Sequence, residues 1–138
     1  MTTATLFTRI INREIPADIL YQDDECIVIN DIAPQAPVHM LVIPRQPMPR
    51  LSDASQDDRA LLAHLMWVAG EVARQHGADD AFRLVVNNGE DAGMTIPHVH
   101  VHIIPKYPES EHSFVWVPGK IEEKDALELS KLISASIK

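Results

Sequence analysis

The segment that most constrains this chain is Pro97-His-Val-His-Val-His-Ile-Ile-Pro105, in which polar and apolar residues alternate from His98 to Ile103. Strict alternation is the pattern of a strand with one polar and one apolar face. It puts His98, His100 and His102 on one side, and Val99, Val101 and Ile103 on the other. Three of the seven histidines therefore share one face of one element.

The rest of the 138 residues, 46% of them hydrophobic, suits one domain with a sizeable core. Ten prolines and five glycines cut it into short elements. The segment 5–14, with apolar residues at 6, 7, 10 and 11, predicts a short helix that stops before Pro16. "DILY" and "CIVIND" flank "QDDE" and predict a hairpin with an acidic turn. "VHMLVI" is bracketed by prolines, which have no amide to give a ladder, and reads as a strand between loops. The segment 51–78 is the clearest helix. Ser55 and Asp58 suit its cap, Leu61, Leu65, Val68 and Val72 form one stripe, and Gly77 suits the left-handed C-cap. "FRLVVNN" and the histidine segment are the last two strands, joined by "GEDAGMTI". An amphipathic helix is predicted over 122–138. The order helix, three strands, long helix, two strands, helix is α+β, with a mainly antiparallel sheet.

Charge and cysteine usage narrow the function. A net charge of −8 argues against nucleic acid or an anionic membrane as the main partner, since both repel it, while leaving room for a small nucleotide in a local pocket. The single cysteine, Cys26, allows no internal disulfide and reads as a buried strand thiol. The N-terminus lacks a basic region followed by an apolar run, and no apolar window reaches membrane-spanning length, so a cytoplasmic protein is expected.

Three adjacent imidazoles are expensive to bury for packing alone, because each needs partners for both nitrogens. Zinc is one reading. His98 and His102, however, are about 13 Å apart along an extended backbone, so one ion would take a pair of them plus His39, with Glu90 or Asp91 adding a carboxylate. An extended anion suits the row better. A phosphate ester offers phosphorus to attack, non-bridging oxygens to stabilise and a leaving group to protonate, spread over several ångströms. Histidine serves each role near neutral pH. His64 and His76, on the long helix, read as structural or solvated, and Arg45 and Lys106 as solvated charges.

"HVHVHII" resembles the His-x-His-x-His signature of the histidine triad (HIT) family of nucleotide hydrolases and transferases. "NDIAPQAPVHMLVIP" and "RLVVNNGEDAGMTIPHVHVH" resemble its nucleotide-binding branch, and the likeness covers roughly residues 5–106. The resemblance implies a HIT-like fold: a five-stranded antiparallel sheet with a long helix, forming a homodimer through that helix and adjoining strands. Trp67 and Met66 would serve that interface or the core. It implies that His100 is the nucleophile of a nucleotidyl-histidine intermediate, that His102 bonds the α-phosphate, that His98 lies near the leaving group and that His39 supports the site. Asp31 would bind ribose hydroxyls, Ile32 would wall the base pocket, and Asn87, Gly93 and Thr95 would form the phosphate-facing side. The implied substrate is a purine nucleoside 5′-phosphoramidate or related AMP derivative. A dinucleoside polyphosphate hydrolase, or a non-catalytic nucleotide-binding scaffold, is the alternative. No cofactor and no metal are expected, since "FTRI" lacks the cysteines that hold zinc in some members.

Departures from the pattern are Met94 where glutamine is common and Pro47 where histidine is common. "PHVHVHIIPK" looks closer to other branches, and residues 107–138 extend beyond the usual end. His112 and Trp116 in that extension, with Trp67, are candidates to approach a partner subunit's site.

Overall fold

A computed structural model describes residues 4–78, 80–106 and 118–137. His112 and Trp116 lie outside the described residues. The centre of the fold is a pair of apolar strands, Cys26–Asn30 (β2) and Met40–Pro44 (β3), buried throughout except at Asn30. An apolar run without alternation needs cover on both faces, and it has it. Cys26, Val28, Met40 and Val42 pack against the long helix α2 (Arg59–Gln75) through Leu65, Val68, Ala69 and Ala73. Ile27, Ile29, Leu41 and Ile43 pack against Phe7 and Ile10 of the short helix α1 (Leu6–Ile11). Truncating any of these large aliphatic residues to alanine costs about 2–5 kcal/mol, because the void does not fully close.

The edges are completed by Ile19–Gln22 (β1), Phe82–Val85 (β4) and Val101–Pro105 (β5). The sheet order is β1-β2-β3-β5-β4, and every pairing is antiparallel. The connection from β3 to β4 carries α2, and β5 inserts between those two strands. This is the α+β, five-stranded antiparallel architecture that the sequence implies.

Helix ends follow the local chemistry. Thr5 caps α1 in a reciprocal pair with Thr8, and a six-residue helix of this kind is held by its buried side chains rather than by its own propensity. Ser55 and Asp58 do form a capping box, but on a 3₁₀ turn at Gln56–Asp58. The segment expected to be helical from 51 therefore starts with two short 3₁₀ turns, and α2 begins at Arg59. At its far end Gly77 has φ 78°, while Gly77 N bonds Arg74 O and Ala78 N bonds Ala73 O, closing the helix with a left-handed cap.

The strand predicted over 97–105 is shorter than its alternation. The ladder begins at Val101, because the preceding amides are spent elsewhere: His98 N bonds Ile96 O and Val99 N bonds Met48 O. The alternation of faces nevertheless continues through it. Met66 and Trp67 are more than half exposed, so neither is a core residue of this chain. The predicted C-terminal helix is present as α3 (Glu123–Ser136), and none of its residues is buried.

Candidate active site

Three strand ends bring the site together on the α1 face of the sheet. His102 lies opposite Leu41 of β3, a residue of the α1-side core, so its ring projects on that face. His39 stands two residues before Leu41 and Asp31 two residues after Ile29, so alternation puts both on the same face. The segment leading into β5 adds His98 and His100. The His100 and His102 rings are 4.8 Å apart and the His39 and His102 rings 5.0 Å apart, centre to centre.

The hydrogen bonds assign the ring protons. His100 Nδ1 lies 2.7 Å from His98 O, and a carbonyl only accepts, so Nδ1 carries the hydrogen and Nε2 is left with its lone pair. Phe7 packs edge-on against this ring at 4.9 Å. Gln35 N donates to His39 Nδ1 at 2.9 Å, so the His39 hydrogen sits on Nε2. That Nε2 lies 2.8 Å from His102 Nδ1 and 3.3 Å from Asp31 Oδ2. His102 Nδ1 is thus an acceptor, and His102 Nε2 is a donor. A nucleophilic nitrogen and a donor nitrogen stand on neighbouring rings.

Burial holds all four imidazoles in their neutral form. It lowers the pKa of His98, His100 and His39 below the ordinary histidine value. Burial, with the adjacent His100 and His39, brings His102 down to about 4 against the opposing pull of Asp31. Each ring is uncharged at neutral pH, as a nucleophile requires.

His98, expected near the leaving group, is the most enclosed of the four imidazoles. It is fully enclosed, with Pro44 O accepting from Nε2 at 2.7 Å and Thr5 Oγ1 donating to Nδ1 at 3.0 Å. Both nitrogens are engaged, so in this arrangement its ring anchors the segment while its carbonyl orients His100. Asp31 is also placed differently from a free ribose ligand. Its Oδ1 accepts from Ala33 N at 2.8 Å, its own amide donates to His39 O, and Oδ2 faces His39 and His102. Ile32 next to it is 92% exposed, an apolar side chain standing in solvent at the site's edge.

The loop side is a cleft of about 700 Å³ lined by Pro49, Arg50, Gly89, Glu90, Gly93 and Thr95, among others. Asn87 is half-buried. Gly93 sits beside it, where an added Cβ would meet the Asn87 side chain at an ordinary 4.0 Å. What requires glycine there is its φ of 97°, not lack of room. Met94, which replaces the common glutamine, turns inward and is buried. Asn88 Oδ1 accepts from Leu51 N at 2.6 Å and ties the two walls of the cleft together. Thr5, Phe7 and the Gln35 amide support the triad and were not singled out from the sequence; Thr5 lies 93 residues from His98, and no local pattern links them.

The remaining polar clusters are structural in character. His64 donates to Asp23 Oδ2 at 2.6 Å, and Asp23 Oδ1 accepts from the amides of Glu25 and Cys26, which fixes the acidic turn expected there. Burial pushes the Asp23 carboxyl up, but these bonds outweigh it and hold it well below the usual range. Arg45 Nε donates to Asp23 O in the same network. Burial raises the Cys26 thiol to about 12, as suits an inert core residue. Among the described residues two groups have metal-ligating atoms within 4.8 Å of one another: Asp31 with His39 and His102, and Asp23 with Cys26 and His64. Glu90 and Asp91, considered above as metal carboxylates, belong to neither and lie exposed on the 3₁₀ turn Glu90–Ala92.

An antiparallel sheet that presents a neutral, carbonyl-oriented imidazole beside an imidazole set to donate has the groups that nucleophilic catalysis on a phosphate ester needs. The HIT domain family matches residues 12–109. A HIT-like protein of Synechocystis is 50% identical over 119 residues, 86% of this chain and 100% of that protein. The purine nucleoside phosphoramidase of Escherichia coli K12 is 40% identical over 109 residues, 78% of this chain and 92% of that enzyme. The crystal structure of a HIT family protein from Bacillus anthracis aligns over all of both chains, α3 included, with TM-score 0.84 and 26% identity. The chain belongs to the HIT family.

Proposed function

We propose that this protein hydrolyses purine nucleoside 5′-phosphoramidates, or related AMP derivatives, through a nucleotidyl-histidine intermediate on His100. The observation that carries the reading is the 2.7 Å bond from His100 Nδ1–H to His98 O, on a ring that burial keeps neutral. His100 Nε2 attacks the α-phosphorus. The Nε2–P bond forms as the P–N bond to the leaving group breaks, and the carbonyl of His98 stabilises the positive charge that develops on the ring. His102 Nε2–H donates to a non-bridging oxygen as charge accumulates there. The departing amine takes up a proton from solvent, passed on by the Thr95 hydroxyl on the cleft wall, and the water that later attacks returns a proton to solvent. Water then attacks the same phosphorus, releasing AMP and regenerating neutral His100. Asn87 and Gly93 border the phosphates, and Asp31 and Ile32 the ribose and base. Ribose binding asks Asp31 Oδ2 to exchange its contact with His39 for a ribose hydroxyl. The similarity to the phosphoramidase of Escherichia coli supports the substrate class.

The test is His100→Ala, assayed for AMP release from an adenosine 5′-phosphoramidate. Release at the wild-type rate would end the proposal. A dinucleoside polyphosphate hydrolase is the second reading, favoured by the size of the cleft and by Arg50 on its wall, a cation for a longer phosphate chain. The ratio of kcat/KM for the two substrate types separates them.

The same reading takes residues 1–138 as a single HIT-like domain, with a core over about 5–106 and an extension over 107–138. It pairs two copies through α2, where Met66 and Trp67 are exposed. It places the protein in the cytoplasm; among the described residues no helix is long and apolar enough to cross a membrane.

A further inference from the structure

Helix α3 carries an apolar face that the other described residues leave bare. Ala126, Leu129, Ile133 and Ile137 recur at three- and four-residue spacing, with Leu132 beside them, while Lys124, Glu128 and Lys131 take the opposite side. Leu129, Leu132, Ile133 and Ile137 are each about half exposed or more, and no residue from 118 to 137 is buried. A helix of 14 residues is marginal in water without packing of its apolar face.

The same chain holds a matching vacancy. An apolar groove of about 460 Å³ runs between β1 and α2, lined chiefly by Leu20, Tyr21, Met40, Trp67, Val68 and Val72. Leu20, Tyr21 and Trp67 open to solvent there, Trp67 by 61%. The groove follows α2 from Trp67 to His76, about 14 Å at the helical rise, and the α3 stripe from Ala126 to Ile137 is about 16 Å long.

We propose that α3 of one copy lies in the β1–α2 groove of a second copy, each copy giving its helix and receiving the other's. Helix face and groove sit on one chain and the described residues fill neither, so two copies close the exchange with two-fold symmetry and leave no face over. The 16 residues between Lys106 and Glu123 span up to about 50 Å when extended, enough to reach a neighbouring subunit. Trp67, exposed on the groove wall, is the kind of residue that anchors such a contact. The exchange goes beyond the dimer through α2 proposed above, and does not depend on it.

The test uses the full chain and engineered cysteines, since Cys26 is buried and its thiol is held protonated. Gln75→Cys in the groove and Leu129→Cys on α3 are made in two chains of different tag length, mixed and mildly oxidised. The expected product is one covalent species carrying both tags. A separate Leu129→Glu/Ile133→Glu variant, altered only at exposed positions, is expected to weaken association by about a hundredfold or more in sedimentation equilibrium. If a third chain, made with both Gln75→Cys and Leu129→Cys, closes only on itself, α3 docks in its own groove and the exchange is wrong. If no cross-link forms and the double-glutamate variant associates like the wild type, the exchange is also wrong, while an α2 dimer survives.

Discussion

His39 Nε2 lies 2.8 Å from His102 Nδ1, and this one bond decides which nitrogen of His102 is a donor. The chain of assignment starts at a backbone amide: Gln35 N occupies His39 Nδ1, so His39 donates and His102 accepts. Replacing His39 by alanine removes that control, and both His102 tautomers become populated. A loss of about 10- to 100-fold in kcat is expected, with little change in KM, because the bond acts on the developing phosphate charge. Steady-state kinetics and nitrogen NMR of the His102 ring measure it. An unchanged His102 tautomer would remove the basis of the prediction.

His98 predicts a stability effect more than a loss of contact with substrate. Its ring bonds Thr5 and Pro44 and is wholly buried. Thr5→Val keeps the shape but removes the donor to His98 Nδ1 and the cap of α1 together. About 1–3 kcal/mol of destabilisation is expected in urea unfolding. Equal stability of the variant and the wild type would show that the hydroxyl carries neither task.

The acid limb of the activity profile should lie low. Burial lowers His100 and brings His102 to about 4, so both stay neutral below the ordinary histidine value of about 6.5. The logarithm of kcat/KM, corrected for uncatalysed hydrolysis, should begin to fall only below about pH 6.5. A midpoint at or above that value contradicts the assignment. The same shifts act on stability. Their folded values are depressed, so the unfolded chain takes up protons first. Stability is full above about pH 6.5 and declines towards pH 4 as the unfolded chain charges its histidines.

Gly93→Ala tests conformation apart from space. An added methyl has room, but φ is 97°, which a side chain rarely adopts. About 1–2 kcal/mol of strain is expected in thermal unfolding, and a rise in KM as the loop relaxes away from the phosphates. If KM is unchanged, the loop does not border the substrate.

Much of this protein is legible in its chain. Alternation places His98, His100 and His102 on one face even where the ladder has not begun, because side-chain direction follows extended backbone and not pairing. The unbroken apolar runs of β2 and β3 announce a sheet covered on both sides. The Gly77 cap is local chemistry and stands where the sequence puts it, while the Ser55–Asp58 box forms on the 3₁₀ turn ahead of α2. The start of α2 was less legible, since 3₁₀ turns and α-helix share their apolar spacing over so short a stretch.

What the sequence determined by itself, then, was the element order, the buried faces and the row of histidines, because each depends on neighbours a few residues apart. The division of labour among those histidines was decided by tertiary structure. His98 anchors because Thr5 and Pro44 arrive from distant parts of the chain, and His100 stays available because the His98 carbonyl engages its Nδ1 and leaves Nε2 with its lone pair. Protonation depends on burial and on which donor comes within about 3 Å, and those are properties of folded space that spacing along the chain does not contain.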